Sequence, residues 1–134
     1  MSDEENPRSV PAGAVLEASA AMLQKQLYAI FTKPTDGLGA VFANLEAHLA
    51  FQVQLETEGV MFAAGPMWTD DEQSWEGEGL VVVRAASRAD AIAIANRDPM
   101  HKSGARAFHV RPWLVNEGSV SIRLDYSNQK FTIT

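Results

Sequence analysis

The sequence predicts an α+β domain of the ferredoxin-like kind, in the order βαββαβ with one further strand at the C-terminal end. Three observations lead there. Strand-like runs alternate with two helical patterns, a pair of apolar runs bounded by glycine and proline lies between the helices, and the alternation does not continue as it would in a doubly wound sheet. With 134 residues, 46% of them apolar and 21% charged, the chain has the balance of a globular protein and room for one core.

Residues 1–24 precede the pattern and read as an N-terminal extension: an acidic, Pro-containing start, then an Ala-rich stretch from Ala12 to Met22 that Pro11 could open as a short helix. Residues 25–134 read as the domain. Leu27 to Thr32 is rich in aromatic and β-branched residues and stops at Lys33-Pro34, as a first strand would. From Leu38 to Glu58 apolar residues recur at helical spacing, with Gly59 as the stop, so one long helix is expected. Its inward face should carry Val41, Leu45, Leu49 and Leu55.

Met61 to Ala64, closed by Gly65-Pro66, reads as a buried strand, and Leu80 to Val83 as its hairpin partner across an acidic loop that holds Trp68 and Trp75. Ser87 to Asp90 resembles a capping box and opens a second helix, about Arg88 to Arg97, that Pro99 must end. Phe108 to Val115 and Val120 to Tyr126 then read as strands joined by a hairpin loop at Asn116-Glu117-Gly118. Leu80 to Val83 is apolar without alternation, so a second surface should cover the far face of the sheet. A homodimer packed sheet to sheet is the simplest arrangement.

Composition removes several functions. The absence of cysteine excludes disulfides, thiol nucleophiles and thiolate metal sites. A net charge of −6 and the lack of an aromatic ribonucleoprotein signature argue against nucleic acid as a partner. No apolar run approaches the roughly 20 residues that cross a bilayer, which removes a membrane partner. The acidic Met1 to Glu5 start is unlike a secretory signal, so a cytoplasmic location is expected. There is no Walker loop, no nucleophile elbow and no dinucleotide fingerprint, since Gly37-Leu38-Gly39 lacks the third glycine; no cofactor is expected.

The residues left for chemistry are few. His48 falls on the apolar arc of the first helix, with Gln52 one turn on, and buried polar groups there require partners. Asp98 is held by Pro99 at the end of the second helix. Side-by-side helices would let this carboxylate meet the imidazole, fix its tautomer and leave its other nitrogen free to take a proton. The competing structural readings are a core histidine bonded to a carbonyl and an Asx turn at Asp98. His101 and His109 are further candidates, but none of the histidines has ligand spacing for a metal, and no metal is expected. Arg97, Lys102, Arg106 and Arg111 gather near His101 as a pocket for a small anion, with Arg106 or Lys102 holding the substrate group.

Glu46-Ala47-His48-Leu49, Ala63-Ala64-Gly65-Pro66, Asp98-Pro99 and Arg111-Pro112-Trp113, in that order between Gln26 and Trp113, resemble the YciI-like (YCII-related) family. The resemblance implies a dimeric ferredoxin-like α+β barrel with His48 and Asp98 in the active site; Gln52, Pro66, His101, Lys102, Arg106 and Trp113 are the substrate contacts expected around that pair. It also implies a lyase or isomerase that removes a proton from an anionic or aromatic metabolite, since one similar protein is a dehydrochlorinase and the same lineage of barrels includes muconolactone isomerases. The sequence departs from the pattern at Met100, where an aromatic residue is frequent, and in having His101 and longer ends. A module that binds a small metabolite without chemistry is the alternative function.

Overall fold

In the computed structural model, which describes residues 6–134, the chain runs α1 (Ala12–Ala18), β1 (Lys25–Pro34), α2 (Gly39–Ala43), α3 (Leu45–Thr57), β2 (Met61–Pro66), β3 (Gly79–Val83), α4 (Arg88–Asn96), α5 (Pro99–Lys102), β4 (Arg106–Val115), β5 (Ile122–Asp125) and β6 (Lys130–Ile133). It forms two compact units, one of residues 26–114 and one of the segments on either side. No helix among the described residues is long and apolar enough to cross a membrane.

The central unit has the α+β, ferredoxin-like architecture. Its sheet has the order β2-β3-β1-β4, and β3 runs antiparallel to both β1 and β2. Tyr28, Ile30, Val81, Val83 and Val110 form the core with Ala91 and Ala95 of α4, so the helices cover the sheet face on which these side chains stand. A second cluster, Val41, Met100 and Ala105, joins α2 to α5 and the start of β4. The Ser87 cap forms as expected, its hydroxyl accepting from Asp90 N at 3.1 Å.

Four expectations need correction. The long helix is broken at Asn44, whose backbone leaves the helical range and whose side-chain amide donates to Ala40 O at 2.8 Å, a local bond that competes with the helix ladder. Val41 and Leu55 are buried as expected, in line with His48 at seven-residue spacing, whereas Leu49 stands roughly 120° around α3 from Leu55 and is 54% exposed. Strand β2 is not buried. It lies at the sheet edge, where the bare side of an end strand exposes nearly all of its residues.

Asn116 to Gly118 does not close a hairpin. Asn116 Oδ1 instead accepts from Gln24 N at 3.2 Å, and β5 pairs with β6, a strand the sequence reading missed, through Ile122↔Ile133 and Leu124↔Phe131. Those four side chains share one face of the β5–β6 hairpin, and all are exposed. The N-terminal helix ends at Ala18 rather than Met22, where Ser19 donates its hydroxyl to Val15 O at 2.8 Å. Residues 1–5 lie outside the described residues.

Candidate active site

The site is built where α3, α5 and the near face of the sheet converge. His48 stands one turn into α3, because Asn44 restarts the helix and His48 N donates to Asn44 O at 3.0 Å. Asp98 caps α5, with Pro99 supplying a first helical position that needs no hydrogen bond. Its Oδ1 accepts from Met100 N at 2.9 Å, so the Asx-type cap is real. It is not the whole role of this residue. His48 Nδ1 lies 2.9 Å from Asp98 Oδ1 and 2.8 Å from Oδ2, and the two residues are 8% and 4% exposed.

This contact settles the imidazole tautomer. A carboxylate only accepts, so the proton sits on Nδ1 and Nε2 carries the free lone pair. Gln52, one turn on, brings its amide nitrogen 3.3 Å from that Nε2, and its Oε1 is buried without a partner. His48 and Gln52 line a cavity of about 360 Å³, within the size range of small-ligand pockets. Its walls are mostly apolar: Leu45, Leu49, Pro66, Val81 and Trp75, with Ala64, Gly65 and Gly79 leaving room along the β2–β3 side.

Trp75 is the wall that the acidic loop contributes. Its Nε1 donates to Glu78 O at 2.7 Å, and its ring meets Phe42 edge-on at 6.4 Å. Gly77 holds the loop there. It has φ of +87°, and a Cβ would come within 2.5 Å of Pro34 Cγ and 2.6 Å of Leu38 Cδ2. Trp68, the other tryptophan of the acidic loop, is exposed and does not line the cavity.

Of the expected substrate contacts, the cavity gathers Gln52, Pro66 and Arg106. Arg106 opens β4, is only 5% exposed and places its Cζ 5.9 Å from the Trp75 ring. Burial pulls its pKa below the ordinary arginine value and the nearby Asp98 opposes that shift, but the guanidinium stays cationic. Lys102 and Trp113 are exposed and do not line the cavity, and the other members of the basic cluster, Arg97 and Arg111, are likewise on the surface.

His101 is not on a loop but on α5, where it turns toward the sheet. Its Nδ1 donates to Ala95 O at 2.7 Å, which leaves Nε2 to accept from the Thr32 hydroxyl at 2.8 Å. Burial lowers its pKa from the ordinary histidine value, with Arg106 and His48 adding to the shift and the Ala95 bond and Asp98 opposing it. His101 therefore stays outside the cavity and reaches it through Thr32, a wall residue that sequence reasoning missed. Only the β-strand alternation that places Thr32 on the same face as Ile30 pointed to it. His109 lines a separate cavity of about 380 Å³ with Phe31 and Met67, on the other face of the sheet.

No curated protein matches the chain. Among solved structures, the 5-chloro-2-hydroxyhydroquinone dehydrochlorinase TftG from Burkholderia phenoliruptrix AC1100, in complex with 2,5-dihydroxybenzoquinone, is similar to it: 26% identical, TM-score 0.53, with 65% of this chain and 92% of that one covered. The family model described as the YCII-related domain matches residues 26–114, which is the central unit almost to the residue, and the chain belongs to that family.

Proposed function

We propose that the protein is a small-molecule lyase in which His48 removes a proton from the substrate as a leaving group departs. The observation that carries this reading is the buried His48–Asp98 pair, with Nδ1 committed to the carboxylate and the residue lining the cavity. Asp98 holds the ring in that tautomer and stabilises the imidazolium that forms, while Gln52 steadies Nε2 before the proton arrives. The apolar walls accommodate an aromatic ring and exclude water from the proton transfer.

A chlorinated hydroxyhydroquinone, the substrate class named for the similar dehydrochlorinase, is the first compound to test. Its net reaction would be loss of HCl from the keto tautomer, in which a hydroxyl proton has moved to the chlorine-bearing carbon: a second hydroxyl proton goes to His48 Nε2, the pair it leaves forms a carbonyl, the displaced ring pair forms a new C=C bond, and the C–Cl bond breaks with its electron pair leaving as chloride. Chloride release should be measured for the wild type and for His48→Ala. Absence of turnover in the wild type would remove dehydrochlorination, and full turnover in His48→Ala would remove His48 as the base.

The protein also reads as a homodimer joined through the outer sheet face, where Phe31 and Met67 are exposed, and as cytoplasmic. A monomeric mass by light scattering at micromolar concentration would rule out the dimer.

A further inference from the structure

Arg106 is a buried cation without an anion. Among the described residues the ion pairs are His48–Asp98 and Arg123–Asp125, so no carboxylate reaches the Arg106 guanidinium. Asp98 is near enough to act on it through space, but both of its oxygens are engaged, Oδ1 by His48 and Met100 N and Oδ2 by His48. Glu78 also lines the cavity, yet its side chain is exposed and makes no ion pair. Arg106 Nε is buried with no hydrogen-bond partner at all.

A charge taken out of water without compensation opposes folding, and proteins keep such a group chiefly where a ligand completes it. The position of Arg106 fits that use. It faces the same cavity as His48, with the Trp75 ring beside it to hold the guanidinium plane. We infer that the ligand of this cavity is an anion, a planar aromatic or enolic acid whose carboxylate or ring oxyanion pairs with Arg106 while its reacting proton faces His48. The planar fork of arginine matches two oxygens on one group, which a lysine would not. An oxyanion already paired there also places negative charge beside the ring from which the leaving group departs.

This inference rests on reading the cavity as the substrate site, but it does not require that His48 act as a base. The test uses thermal unfolding of the full chain with two probes of one shape and different charge, benzoate and benzamide, and formate as a minimal anion. Benzoate should raise the melting temperature of the wild type and benzamide should not, because only the anion completes Arg106. Arg106→Met should abolish the benzoate shift and raise the melting temperature of the unliganded protein, since the uncompensated charge is gone. Arg106→Lys should retain a smaller benzoate shift, and His48→Ala should retain it in full.

The inference is overturned if benzamide matches benzoate, if Arg106→Met keeps the benzoate shift, or if neither benzoate nor formate stabilises the wild type. Loss of turnover in His48→Ala with an intact benzoate shift would support both readings. Full turnover in His48→Ala with that shift intact would remove the base and leave the anion site standing.

Discussion

His48 and His101 lie on neighbouring helices, both largely withdrawn from water, yet their nitrogens meet different surroundings. His48 gives its Nδ1 proton to a carboxylate, has only the Gln52 amide at 3.3 Å beside its other nitrogen, and lines a cavity. His101 gives its Nδ1 proton to the carbonyl of Ala95 and spends its free nitrogen on the Thr32 hydroxyl. Burial is common to the two; the second partner differs. A histidine held by short bonds at both nitrogens and away from any cavity is a strut, and one that lines a cavity with only a long contact at one nitrogen is a candidate for proton transfer.

The largest expected effect separates the two rings by activity. His48→Ala should lower turnover of a confirmed substrate by about a hundredfold or more, the usual worth of a general base, whereas His101→Phe should lower it by less than about tenfold. Steady-state rates on both variants check this, and equal losses would erase the distinction. Asp98→Ala should then cost stability as well as activity. It removes the bifurcated bond from His48 Nδ1–H and the cap on Met100 N, together about 3 kcal/mol, read from urea unfolding.

The third effect is a pH dependence that belongs to His101. Its folded pKa lies below the ordinary value near 6.5, so the unfolded chain binds the proton more readily. Stability is therefore whole above about pH 6.5 and falls as the pH drops through the folded value. His101→Phe, which keeps a ring against Phe108, should lose less than the wild type between pH 7 and pH 5 in the same unfolding measurement. Thr32→Val leaves the free nitrogen of His101 without a donor and should cost about 1–2 kcal/mol. Smallest is Ser87→Ala, about 1 kcal/mol, through the cap of the helix that carries the Ala95 carbonyl; denaturant midpoints would resolve both.

The features that were legible in the sequence are those governed by local rules. Ser87 and Pro99 mark the two ends of one helical stretch by backbone chemistry alone, which put Asp98 at the end of that stretch, though not at the start of the short helix α5 that it also caps. His48 stood out because an imidazole on an apolar arc demands a partner. Features decided by tertiary competition were not legible. Asn44 is tolerated within many helices, and only its bond to Ala40 O shows why this helix breaks there. Lys102 and Arg106 look equivalent in a basic run, but one lies on the exposed side of a short helix and the other under the Trp75 ring. Strand β6 was missed because its pairing with β5 is decided by residues on both sides of a turn with Gln129 at φ 57°.

The small residues along β2 and β3 give the cavity an adjustable size. Gly65 lines it, has an ordinary backbone conformation, and would meet nothing within 4 Å if it carried a Cβ. Gly65 pairs with Leu80, however, so that Cβ would stand on the sheet face away from the cavity, whereas a methyl group added at Gly79, which pairs with Thr32 and Pro66 on the cavity face, would meet Gly65 O at 3.4 Å and Thr32 Cγ2 at 3.6 Å, ordinary contacts, and take volume from the ligand. The volume open to a ligand can therefore be changed by a single substitution on the sheet, while the His48–Asp98 pair on the helices opposite stays untouched.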